Sequence, residues 1–229
     1  MKKTSKLLLV LLLLTSCSSR NPIAEESVTE EDTDREGFIQ VEEIPVNENE
    51  IPKEAAFEGK LKEVKKWSDV EGTHLVITAE TGPFELHIFD HEEGIVDAQL
   101  FGYHYLFDET TKKYIPRWYL TDEVFRCSLD IEATFMENTL QITDLDNDGI
   151  GEIWLMYKKV CHGDVSPYDM RLLMYQGENK CVMSGQNKVK VSETEYEGGN
   201  YTFDENFKNA PKKFRSFAEE LWNENIMQQ

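Results

Sequence analysis

From Gly59 onward, apolar and polar residues alternate with the period of extended chain. Thr73–Ala79 (THLVITA) reads as a strand, Lys60–Trp67 alternates less cleanly before it, and Gly72 between them suits a hairpin turn. Glu80–Pro83 forms a further turn, and Phe84–Phe89 reads as the next strand. Leu100–Phe107 places Phe101, Tyr103, Tyr105 and Phe107 on one face, and Leu100, Gly102, His104 and Leu106 on the other. A strand that is largely apolar on both faces belongs inside a sheet covered on both sides. Tyr114–Leu120 follows, and Pro116, which cannot donate to a ladder, pushes it toward a sheet edge. Phe125–Phe135, Leu140–Thr143, Ile153–Tyr157 and Met170–Tyr175 continue the series, and connections this short imply antiparallel pairing.

The period then changes. Pro211 suits the first position of a helix, and Phe214, Phe217, Leu221 and Trp222 recur at helical spacing behind it. The expected class is mostly β: an antiparallel meander or sandwich-like sheet with one C-terminal amphipathic helix. Residues 59–229 are long enough for a single domain.

Charge narrows the function. The chain carries 44 acidic and 24 basic residues, a formal net charge of −20. No cationic surplus exists to displace phosphate counterions, so nucleic acid is not an expected partner. Thirteen acids and three basic residues fall in Ser18–Glu58, with Pro22, Pro45 and Pro52. Residues 17–58 therefore read as an acidic, self-repelling, disordered tether.

Residues 1–16 read as an export signal, with Lys2, Lys3 and Lys6 ahead of the apolar run Leu7–Leu14. That run would rise about 12 Å as a helix, too short for the roughly 30 Å hydrocarbon core. Leu14-Thr15-Ser16-Cys17 resembles the lipobox of bacterial lipoproteins. The resemblance implies cleavage before Cys17, acylation of that cysteine with palmitate-type chains, and a membrane anchor. Removal of the signal takes away three lysines and no acid, leaving a charge of −23. By the same resemblance, Ser18 after the cysteine favours the outer membrane of the cell envelope.

The strongest internal motif is Asp144-Leu145-Asp146-Asn147-Asp148-Gly149-Ile150-Gly151-Glu152. Alternate carboxylates converge on one centre when the chain curls tightly, and Gly149 permits the curl. The Ile150 carbonyl adds a neutral oxygen. Hard oxygen donors without sulfur or imidazole select Ca²⁺. Without a cation, carboxylates about 4–5 Å apart repel by roughly 3–4 kcal/mol per pair at an effective dielectric near 20. A plain hairpin turn is the alternative, but it needs one Asn-Gly or Asp-Gly rather than acids in alternate phase. The motif is similar to the DxDxDGxx[DE] calcium loops of FG-GAP and integrin-type β-repeat families, with Glu152 as the last acid and Ile153-Trp154-Leu155 as the strand behind it. It departs from an EF-hand at position 12, which is Leu155. The resemblance implies a structural calcium ion held by Asp144, Asp146, Asp148, Ile150 and Glu152. More loosely, Glu152–Gly177 resembles secreted proteins named for surface polysaccharide biosynthesis.

Beyond Cys17 the cysteines are Cys127, Cys161 and Cys181. Cys161 and Cys181 span a predicted hairpin, and we expect them to pair, leaving Cys127 buried and inert. His87 and His91, beside Asp90, Glu92 and Glu93, read as a wet strand end rather than a zinc site. No nucleophile elbow, phosphate loop or dinucleotide fingerprint is present, so no catalytic residue is assigned. The leading expectation is a non-enzymatic envelope lipoprotein acting as a binding or assembly module, with a possible glycan or envelope-protein partner. A polysaccharide-acting enzyme with scattered carboxylates, or a partner or inhibitor of another envelope protein, are the alternatives.

Overall fold

The computed structural model describes residues 39–46, 51, 53, 55–85 and 94–227. The export signal, Cys17, most of the Phe84–Phe89 strand, His87 and His91 lie outside the described residues.

The fold is mostly β, as the alternation implies, with antiparallel sheets and a C-terminal helix. Two short strands come first, β1 (Ile39–Gln40) and β2 (Glu43–Ile44). A five-stranded sheet then runs in order β2, β3 (Lys60–Asp69), β4 (Gly72–Glu80), β5 (Val96–Asp108) and β6 (Lys113–Cys127). Pro116 lies on β6, an edge strand, beside a register shift in its pairing with β5.

The second sheet is centred on β9 (Glu152–Cys161). One side of β9 pairs in succession with β7 (Ile131–Phe135) and β8 (Gln141–Asp144), and β1 extends β8. The other side continues through β10 (Asp169–Gln176), β11 (Asn179–Gln186) and β14 (Tyr201–Phe203). A separate hairpin joins β12 (Lys188–Lys190) to β13 (Tyr196–Gly198).

The apolar pattern of β9 explains the layering. Ile153, Leu155 and Tyr157 face Trp67, Val76, Ala98, Leu100 and Leu120 of the five-stranded sheet. Trp154 and Met156 point the other way, against Phe207 of helix α1 (Glu205–Asn209) and Phe214, Ala218, Leu221 and Trp222 of helix α2 (Lys212–Asn225). Full burial of one such side chain stabilises by roughly 1.5–3 kcal/mol, so a strand buried on both faces is the centre of the molecule. Asp204 caps α1 by accepting from the Phe207 N–H at 2.8 Å. Pro211 sits one place before the expected position, as the cap of α2.

Two expectations need correction. Residues 39–58 are not all tether. β2 pairs with β3, Ala55 is buried, and the Ala56 carbonyl and Glu58 N–H bond to Tyr105 and Tyr103 on the outer face of the five-stranded sheet. Ile51, Ala55 and Phe57 supply the apolar surface that acidic composition obscured.

The disulfide also differs from the expected Cys161–Cys181 pair. Cys127 at the end of β6 is bonded to Cys161 at the end of β9, 34 positions apart, and Cys181 is free and buried. Register explains this. Cys181 lies opposite Met174, which lies opposite Trp154, seven residues along β9 from Cys161. At about 3.3 Å per residue that is about 23 Å, far beyond disulfide reach. Cys181 belongs to the core under the helices, where burial pushes its thiol up to about 11.

Candidate metal centre

The acidic loop joins β8 to β9, the hairpin at the middle of the second sheet. Its tight curl uses two left-handed residues, Asn147 (φ 57°) and Gly149 (φ 83°). Gly149 is required twice over, because an added Cβ would stand 2.7 Å from Cγ1 of Val70 in the β3–β4 turn.

The curl brings Asp144, Asp146 and Glu152 together, each offering one oxygen within 4.8 Å of the others. Asp148, expected as a third alternate ligand, is not in that group. It is exposed, with Oδ1 taking the Ile150 N–H at 2.8 Å. Gln176, on β10 opposite Glu152, donates Nε2 to Asp146 Oδ1 at 3.2 Å and to Asp148 Oδ2 at 3.1 Å. Ile150, expected to offer its carbonyl, is fixed here through its N–H.

Glu152 is fully buried. It accepts from Thr143 Oγ1 at 2.6 Å and from the Leu145 N–H at 2.9 Å, while Thr143 in turn accepts from Trp154 Nε1 at 2.8 Å. Burial nevertheless pushes its carboxyl up to about 7, and the charges of Asp146 and Asp144 push the same way. The Asp144 carboxylate accepts the Gly149 N–H through Oδ2 at 3.1 Å, while its Oδ1 is buried with no partner. An unmatched buried carboxylate oxygen, beside an acid that its neighbours resist ionising, is a site short of positive charge. The donor set of Asp144, Asp146 and Glu152 is one that could hold a hard divalent cation, with Asp148 and Ile150 at its edge.

Residue pattern did not reveal what lies behind the loop. Asp69, at the end of β3, accepts the Gly151 N–H at 3.0 Å, and Val70 N–H donates to the Gly149 carbonyl at 3.1 Å. The five-stranded sheet thus grips the loop at two points. Asp69 Oδ1 also meets His74 Nε2 at 2.8 Å, and His74 Nδ1 meets His104 Nε2 at 2.9 Å. Carboxylate acceptance at the first contact places a proton on His74 Nε2. All three side chains are buried, and both imidazoles stack near the Trp67 ring, His74 at 4.8 Å.

Burial opposes ionisation of Asp69, but the bonds from His74 and Gly151 prevail and hold it at about 2. Burial drives His104 down to about 3, aided by the charges of His74 and Arg117. The chain is sealed from solvent and carries no nucleophile. It can position the loop, and it has no access to a substrate. An Asp two residues after a buried Trp and three before a turn Gly was its signal; the partner histidines come from two different strands.

No protein-family model, curated protein or solved structure gives a significant match to the chain.

Proposed function

We propose that this protein is a lipid-anchored component of the cell envelope whose single β-domain binds one structural calcium ion and serves as a non-enzymatic binding or assembly module. The observation that carries the calcium reading is the convergence of Asp144, Asp146 and Glu152 around an unmatched buried oxygen at the centre of the second sheet. Calcium binding to the folded state alone adds about 2.7 kcal/mol at a hundred times the dissociation constant. Because the site closes with Glu152 and lacks a position-12 carboxylate, we expect an affinity nearer 10⁻⁴ than 10⁻⁷ M. The anchor rests on the Leu14–Cys17 motif, and the outer-membrane address on Ser18. Surface-polysaccharide biology is the setting that the resemblance of Glu152–Gly177 suggests.

Thermal melts in millimolar calcium and in chelator test the ion. The folded state should melt higher in calcium, and identical curves would reduce the loop to an acidic turn. Mass analysis of the mature N-terminus tests the anchor: Cys17 should carry acyl mass, and Cys17→Ser should abolish both processing and label. A glycan-binding screen tests the module. A polysaccharide-acting enzyme is the second reading, favoured by a carboxylate-lined cleft of about 590 Å³ beside α2. Release of reducing ends from envelope glycans would decide for it.

A further inference from the structure

Strand β6 closes one side of the five-stranded sheet, and among the described residues no strand pairs with its outer edge. We propose that this edge is a contact between two copies of the chain, which pair β6 with β6 antiparallel about a two-fold axis at Leu120. The inference is independent of the calcium reading and of the envelope address.

The alternation of the ladder shows which backbone groups are open. Gln99 on β5 turns its backbone toward β4: its carbonyl accepts the Thr81 N–H at 3.0 Å, and its own N–H donates to Thr81 Oγ1 at 2.9 Å. Glu123 lies opposite Gln99, so its N–H and carbonyl point away from β5, and those of Thr121 and Tyr119 follow by alternation. The Glu123 position is closed within the chain, because Asp122 Oδ1 accepts its N–H at 2.8 Å and Lys159 Nζ lies 3.5 Å from its carbonyl. At the other end Pro116 has no N–H to offer. The open stretch is therefore short, Tyr119 to Thr121, and its midpoint is Leu120.

The side chains point to the occupant. Tyr119 is 76% exposed, more than any other large apolar residue among those described. Pairing about Leu120 sets Tyr119 opposite Thr121 of the second copy, and the two residues exchange a pair of N–H···O bonds. It sets the exposed Arg117 opposite Glu123 of the second copy, and symmetry repeats both matches on the other side of the axis. Arg117 is held in its own chain only by Glu71, 3.7 Å away, with both side chains 31% exposed. Asp122, the other acid of the stretch, is already offset by Lys159 and Arg171. A chain with 44 acidic and 24 basic residues repels its own copies over most of its surface, and this strip carries balanced charge that matches its own reverse.

Sedimentation velocity on the full chain is the test. We expect a monomer–dimer equilibrium with a dissociation constant of about 100 μM or tighter, as suits a small interface. Tyr119→Lys should weaken it about tenfold, the effect of losing roughly 1.4 kcal/mol. Arg117→Glu and Glu123→Arg should each weaken it as well. Both changes in one chain should restore it, because each new Glu then faces a new Arg while net charge is unchanged. Every altered position is exposed, and unchanged melting curves will show that the fold survives. A wild type that stays monomeric at several times that concentration would overturn the proposal. So would a dimer indifferent to Tyr119→Lys, or a combined charge variant that associates no better than the single ones.

Discussion

Glu152 and Asp69 are both buried carboxylates placed against Gly151, and they hold protons in opposite ways. Glu152 stands at about 7, and Asp69 at about 2. Burial acts against the charged form of each, so burial cannot explain the difference. The neighbours do. Asp69 receives N–H groups from His74, Gly151 and Glu71, and Trp67 Nε1 stands 3.3 Å away. Glu152 receives only Thr143 and Leu145, and it faces two further carboxylates. One acid is finished by protein donors. The other keeps its proton more readily, with fewer donors and two acids beside it.

The largest expected effect tests the finished acid. Asp69→Ala would strip four donors of their acceptor and break the buried Asp–His pair, a loss of about 3–5 kcal/mol by analogy with broken buried pairs. Chemical denaturation measures it. A loss below about 1 kcal/mol would show that the loop and the histidines do not depend on Asp69.

The next effect sharpens the contrast through pH, in chelator. The raised Glu152 favours the folded state fully below its unfolded value of 4.5, and that contribution is lost as pH rises through about 7. Asp69 runs the other way, contributing above 3.8 and losing its contribution as pH falls through about 2. The neutral His104 likewise contributes above 6.5, and its share is lost as pH falls toward about 3. Glu152→Gln should therefore flatten the fall in melting temperature between pH 4.5 and 7, a range worth about 3 kcal/mol, and leave the acid limb in place. A variant with both limbs intact would remove Glu152 as the cause.

Calcium comes third. Asp146→Ala takes away a ligand and some repulsion together, so the chelated variant should be as stable as wild type or slightly more so. Its calcium-dependent gain, about 2.7 kcal/mol for wild type at a hundred times the dissociation constant, should vanish. Magnesium should substitute poorly, because it demands octahedral geometry. Scanning calorimetry with each ion is the measurement. Last, Gly149→Ala forces a side chain into the left-handed region and against Val70, at a cost of about 1–2 kcal/mol visible as a small drop in melting temperature.

Much of this frame was legible in the chain. Thr73–Ala79 and Ile153–Tyr157 announce core strands because their apolar residues fill both phases of the pleat. Phe214, Leu221 and Trp222 announce the helix by their spacing. The acidic loop was legible as a motif because its ligands are local, although Asp148 turned aside to the Ile150 N–H. What stayed hidden depends on register between distant segments. His74 and His104 meet across the β4–β5 ladder near a bulge, 30 positions apart. Cys127 finds Cys161 only because β6 and β9 end near the same corner of the two sheets. Strands β11 to β14 escaped notice because lysines and glycines interrupt their alternation.

The Cys127–Cys161 bond has a consequence for what a protease could do to the chain. It closes a covalent ring that contains β7, β8 and the whole acidic turn. A single cut at the exposed Asn147 or Asp148 would open the chain there, yet both pieces would remain one molecule through the sulfur bridge. The nicked protein would migrate at full size on a gel without reductant and as two fragments with it. The most exposed stretch of the candidate site thereby lies inside the ring, where hydrolysis does not release either half.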